Sequence, residues 1–165
     1  MAVASGPIAP LEGIFYKSSS NGPVFITKAT PTSRNSFLNI NLSQGSSLKS
    51  NTIVRFDGGE TLDKFMLREE GSKLSIPQDG KDYAVVSADH EGELPLSFKA
   101  ETDGTYTLSF SCEEVEFRYL HLIDNLTGED IDLLVTKPVE VPACYTFDAR
   151  TTDNENRFKL VFFTK

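Results

Sequence analysis

The residues able to do chemistry are few, and they are poorly grouped. His90 and His121 are the only imidazoles in the chain. His90 stands in Ala88-Asp89-His90-Glu91-Gly92, a polar turn where a solvated ring is the expected state. His121 continues an alternating row with Val115, Phe117 and Tyr119. That row reads as the edge of a core, with a hydrogen-bonded imidazole rather than a general base. No Gly-x-Ser-x-Gly elbow accompanies either ring, and the phosphate-cradling glycine motifs are absent. A glycosidase needs only two carboxylates, but among 24 acidic residues some such pair is inevitable. No catalytic residue is assigned, and the chain reads as a non-enzyme without a cofactor.

The densest acidic run is Asp124-Asn125-Leu126-Thr127-Gly128-Glu129-Asp130-Ile131-Asp132. Calcium favours clustered carboxylates and carbonyls on a loop, which makes Asp124, Asp130 and Asp132 the cation candidates. Their spacing departs from the EF-hand pattern, so the expected structure is a hairpin with an Asn-Leu-Thr-Gly turn and no metal. Asp153-Asn154-Glu155-Asn156 reads as another acidic turn. Cys112 and Cys144 are the only cysteines, and no Cys-x-x-Cys motif exists. They read as small buried hydrophobes, with one disulfide as the alternative. Aromatic side chains that stack sugars must be exposed, and the candidates are Phe15, Tyr16 and Tyr83. The lack of tryptophan counts against them.

The elements that would position these residues are strands. Leu38, Ile40 and Leu42 alternate with Asn39 and Asn41; Leu94, Leu96, Phe98 and Ala100 alternate with Pro95, Ser97 and Lys99. Tyr106, Leu108, Phe110 and Cys112 share a third such row, and Val115, Phe117 and Tyr119 a fourth. Tyr145, Phe147 and Ala149, then Phe158, Leu160 and Phe162, complete the pattern. Alternation of this kind keeps one face of a strand dry and the other wet. Asp57-Gly58-Gly59, Asp79-Gly80, Asp103-Gly104 and Thr127-Gly128 interrupt the rows and fit hairpin turns, Ala100 to Phe110 most clearly. Pro95 cannot donate to a ladder, which places it at an edge or at the first residues of its strand. Thr61 to Glu70 is open between a short helix and a strand.

Ten to twelve short strands without crossover helices predict an all-β protein, an antiparallel β-sandwich of jelly-roll type with an immunoglobulin-like arrangement as the alternative. The 165 residues suit one domain, since domains run to roughly 100–200 residues. Residues 1–34 are rich in turn-formers and less regular, though Ile14-Phe15-Tyr16 and Val24-Phe25-Ile26 offer two short strands. The formal charge of −8 and a pI near 4.8 argue against nucleic acid and against anionic membrane surfaces. No apolar run approaches the ~18 residues of a membrane-spanning helix, so insertion is not expected. Met1 to Pro7 has neither the basic nor the apolar region of a leader.

Several separate strings carry a resemblance. They include Ile76-Pro77-Gln78-Asp79-Gly80-Lys81-Asp82-Tyr83-Ala84-Val85-Val86 and Gly92-Glu93-Leu94-Pro95-Leu96-Ser97-Phe98-Lys99-Ala100. Tyr119-Leu120-His121-Leu122-Ile123-Asp124-Asn125-Leu126-Thr127-Gly128, Tyr145-Thr146-Phe147 and Arg157-Phe158-Lys159-Leu160-Val161-Phe162 follow. Over residues 35–163 the chain resembles a β-sandwich module near the C-termini of Bacteroidetes surface and secreted proteins. In those relatives the module often precedes a sorting domain of the type IX secretion route. The resemblance implies export to the cell surface or exterior, association with the outer membrane, and membership of a longer chain. It brings no catalytic residues. The segment Thr136 to Pro142 departs from the pattern, and Lys137-Pro138 and Val141-Pro142 suggest an extended loop.

The expected function is therefore a non-catalytic extracellular module for adhesion, spacing or presentation, its partner a protein or glycan. A carbohydrate-binding module of a polysaccharide-degrading protein is the alternative. A small hydrolase would need a pocket with convergent carboxylates.

Overall fold

The computed structural model describes residues 36–65, 71–134 and 143–165, all within the unit Arg34–Lys165. Eleven strands are described: β1 Phe37–Gln44, β2 Ser47–Arg55, β3 Leu62–Asp63, β4 Lys73–Gln78, β5 Lys81–Ser87 and β6 Glu91–Lys99, then β7 Gly104–Glu113, β8 Phe117–Asp124, β9 Glu129–Asp132, β10 Ala143–Ala149 and β11 Phe158–Thr164. They pair in the order β10-β7-β1-β2-β5-β4-β6-β11-β8-β9, with β3 against β5. Only the β2–β5 ladder is parallel among those described. The all-β expectation holds, and the product is a mixed sheet nearly closed into a barrel whose end strands are β9 and β10.

Turn chemistry explains the local connections. Gln78 pairs with Lys81 across Asp79 and Gly80, both of positive φ (50° and 76°), so the Asp-Gly pair makes the tight turn that suits twisted strands. Asn125 to Gly128 close the β8–β9 hairpin, with Gly128 at φ 78°. Asp103-Gly104 behaves otherwise. It joins β6 to β7, which do not pair: β6 lies between β4 and β11, and β7 between β1 and β10. The turn expected to close a hairpin instead carries the chain from one side of the core to the other. β4 makes a corner of a different kind. Lys73 to Ser75 pair with β6, whereas Ile76 to Gln78 pair with β5. Pro95 lies beyond the end of the β4–β6 ladder, on the side of its strand where no donor is required. Leu62–Asp63 form β3, so the first part of the ambiguous stretch is strand, while residues 66–70 lie outside the described residues.

The core is built by the inward rows. Leu38, Ile40, Leu42, Leu108, Leu122 and Leu160 are all but inaccessible, and each such side chain contributes ~1.5–3 kcal/mol by leaving water. Phe98 of β6 meets Tyr106 of β7 and Phe147 of β10 edge-on, each with ring centres 5.2 Å apart. These contacts tie the first two strands of the path, β10 and β7, to β6 across the core.

The cysteines correct an expectation. Both are exposed rather than buried. Cys112 ends the inward row of β7 beyond the rim of the core, and Cys144 stands opposite Ser109 on the outward row of β10. The two thiols therefore sit on opposite faces of the sheet, an arrangement that no disulfide bridges.

Candidate functional site

The site begins with a slip in register. Tyr119 of β8 stands opposite Phe163 of β11, but Phe117 stands opposite Thr164, so Arg118 is an extra residue in β8. A bulge of this kind reverses the phase of the strand beyond it. Phe117 points into the core, where it meets Phe56 and Phe162. Beyond the bulge Leu120, Leu122 and Asp124 point inward, and Tyr119, His121 and Ile123 turn outward. The expected row of Val115, Phe117, Tyr119 and His121 is thereby broken at Arg118.

The outward side chains of β6, β11, β8 and β9 line up in rows across four strands. Glu91, Phe163 and Tyr119 are successive cross-strand neighbours. The next row is Glu93, Val161, His121 and Asp132, followed by Pro95, Lys159, Ile123 and Asp130. Tyr119 and Phe163 keep 41% and 39% of their surface exposed, which leaves aromatic area open at the centre of the face. The Tyr119 and His121 rings lie parallel, 4.0 Å apart between centres. Asp130 holds His121 Nδ1 at 2.6 Å and Asp132 lies 3.9 Å from Nε2, so the stack is fixed from the β9 side. Arg118 rests over the Phe163 ring at 5.8 Å, and Lys159 bonds Glu93 at 3.1 Å. A shallow depression of about 560 Å³ lies here, lined by Glu91, Glu93, Tyr119, Val161 and Phe163.

The inner side of the same β8–β9 hairpin holds a different constellation. Asp124 and Arg157 are both buried and form a two-pronged ion pair, with Arg157 Nε at 3.0 Å and Nη2 at 2.7 Å from the carboxylate. Arg157 also donates to the Asp148 carbonyl at 2.8 Å and lies over the rings of Phe147 and Phe158. Burial alone would raise the Asp124 carboxyl. Bonds from Arg157, from the Leu126 amide and from the Tyr145 hydroxyl outweigh it and hold the group below the usual carboxylate range. Tyr145 of β10 donates toward Asp124 at 3.0 Å and Glu129 of β9 at 2.6 Å. Burial, together with those two carboxylates, pushes its phenol well above the ordinary tyrosine value. No backbone ladder joins β9 to β10, so this cluster bridges the barrel's open seam with side chains.

The cation candidates thus separate. Asp124 is neutralised inside by Arg157, while Asp130 and Asp132 stand outside around His121. Among the described residues no group of three or more His, Cys, Asp or Glu side chains is placed to hold a metal ion. Asp153, from the other acidic turn, accepts from the Arg150 amide at 2.9 Å. His90 is exposed as expected, yet its Nδ1 also meets Thr164 Oγ1 at 2.9 Å. Of the sugar-stacking candidates, Tyr83 is half-buried against the core, and Phe15 and Tyr16 lie outside the described residues. Among the described residues the exposed aromatics are Phe65, Tyr119 and Phe163, and of these Tyr119 and Phe163 stand side by side across neighbouring strands. Two sequence signals point to them. The row 115, 117, 119 is followed by apolar Leu120 and Leu122 in the opposite phase, and Phe162-Phe163 cannot place both rings on one side of a strand.

Among the described residues no helix is long and apolar enough to cross a membrane. No family model, curated protein or solved structure matches the chain significantly.

Proposed function

We propose that the chain is a non-catalytic extracellular module that binds carbohydrate through the outer face of β6, β11, β8 and β9, serving adhesion or presentation at a bacterial surface. The exposed aromatic pair Tyr119 and Phe163, set between carboxylates on neighbouring strands, carries the proposal. Sugar rings stack their C–H faces on such aromatics and give hydroxyl hydrogen bonds to adjacent carboxylates. A flat, pre-formed sheet face also loses little entropy on binding. Export and placement near the end of a longer surface protein rest on the resemblance in the strings from Ile76 to Phe162. In this proposal the barrel is flattened into a sandwich-like pair of walls, with β10-β7-β1-β2-β5 facing β6-β11-β8-β9. The ring contacts of Phe98 with Tyr106 and Phe147 across the core support that arrangement.

A glycan array with the wild-type protein and the Tyr119→Ala and Phe163→Ala variants tests the proposal. Reproducible binding that weakens about tenfold or more in both variants, a loss of at least ~1.4 kcal/mol, is expected. Release of reducing ends from bound glycans is not expected. An array without binding would leave the module as a spacer and sink the glycan assignment.

A further inference from the structure

The sign of the charge around the aromatic pair narrows the class of sugar. Glu91 and Glu93 project side by side from β6, and Asp130 and Asp132 do so from β9. Alternate residues of a strand share a face, so all four carboxylates stand on the same surface as Tyr119 and Phe163. Three strand spacings separate the two carboxylate pairs, ~14 Å at ~4.8 Å each, enough for a short oligosaccharide to lie across the aromatics with carboxylates at both ends. Opposing them are Lys159, already bonded to Glu93, and Arg118, held over Phe163. Four carboxylates against two such cations leave the face with a net charge of −2. The whole chain, at −8, adds to that field.

We propose, resting on the carbohydrate reading above, that this face selects basic glycans bearing free amines, such as glucosamine oligomers, over neutral ones and rejects those bearing carboxylates or sulfates. A protonated amine on a sugar stacked at Tyr119 or Phe163 would find Glu91 or Glu93 on one side and Asp132 on the other. It would also gain from the negative faces of the rings. An acidic sugar in the same place would bring like charges together at short range, and discrimination of this kind acts by repulsion as much as by attraction.

Titration calorimetry at mildly acidic pH with three soluble probes tests the inference: a glucosamine oligomer, its fully N-acetylated counterpart and a galacturonate oligomer of equal length. The expected order is glucosamine tightest, the acetylated form about tenfold or more weaker, and no galacturonate binding. The glucosamine affinity should fall as salt rises, since the attraction is screened. The double variant Glu91→Gln/Glu93→Gln should bring glucosamine and its acetylated form to within a few-fold of each other. Equal or tighter binding of galacturonate overturns the inference while leaving carbohydrate binding intact. So does an unchanged preference in the double variant. Glucosamine binding that persists in Tyr119→Ala and is matched by oligolysine marks plain charge attraction and also overturns it. Failure of all three probes together with an empty glycan array overturns the carbohydrate reading itself.

Discussion

The two sides of the β8–β9 hairpin make the instructive contrast in this molecule. One acidic stretch supplies both. On the inner side Asp124 is buried, bonded by Arg157 and touched by Tyr145. On the outer side Asp130 and Asp132 hold His121 beside an exposed tyrosine. The residue types are the same, and burial separates their roles. A carboxylate withdrawn from water must be neutralised where it stands, so Asp124 has no capacity left for a ligand. Carboxylates in water retain lone pairs for an incoming group. The Arg118 bulge sets which residues go to which side, because it fixes the phase of everything after it.

The largest effect should come from breaking the inner pair. Arg157→Ala leaves Asp124 buried and uncompensated and should cost ~3–5 kcal/mol, read as a lower midpoint of urea unfolding. Replacing both partners, as Asp124→Leu with Arg157→Met, should recover much of that loss, because a buried pair is worth little against apolar residues of similar volume. A double variant no more stable than Arg157→Ala would show that Arg157 acts through its other contacts, to the Asp148 carbonyl and the two phenyl rings. Tyr145→Phe should cost less, ~1–2 kcal/mol, since it removes one hydroxyl from the seam and leaves the ring packed.

Acid sharpens the contrast further. The folded-state pKa of Asp124 is depressed, so its contribution is complete above the unfolded value near ~3.9 and drains away as pH falls through the folded value. Unfolding midpoints measured down a pH series should decline most steeply below that ordinary aspartate value. Tyr145 acts in the opposite direction. Its raised phenol pKa contributes stability below the ordinary tyrosine value of ~10, and this is lost as pH rises beyond it. Tyr145→Phe should therefore flatten the alkaline limb of the stability profile. The smallest stability effects belong to the outer face. Tyr119→Ala and Phe163→Ala should each stay within ~1 kcal/mol of wild type, even though glycan binding should weaken about tenfold or more in both.

Much of the fold was legible in alternation and turn chemistry. The rows at Leu38, Leu94, Tyr106, Phe147 and Phe158 are inward as read, and Asp79-Gly80 closes the tight hairpin its type demands. Pairing between strands distant in sequence was not legible. Nothing local distinguishes Asp103-Gly104, which crosses the core, from Asp79-Gly80, which closes a hairpin. The site was hidden for a related reason. An even period carried through Phe117 to Tyr119 and His121 places them inside, and one inserted residue reverses the assignment. The ion pair of Asp124 with Arg157 joins residues far apart in the chain, so the acidic run reads as a hairpin turn with nothing in it to mark Asp124 as buried.

The most direct measurement is amide chemical-shift mapping of the folded protein during titration with a glycan that binds on the array. Perturbations should concentrate on β8 from Arg118 to Ile123, on β11 from Lys159 to Phe163 and on Glu91 to Glu93 of β6, with the Asp124–Arg157 seam unmoved. Shifts confined to the opposite end of the barrel, around Asp103, Asp148 and Asp153, would contradict the assignment of the binding face.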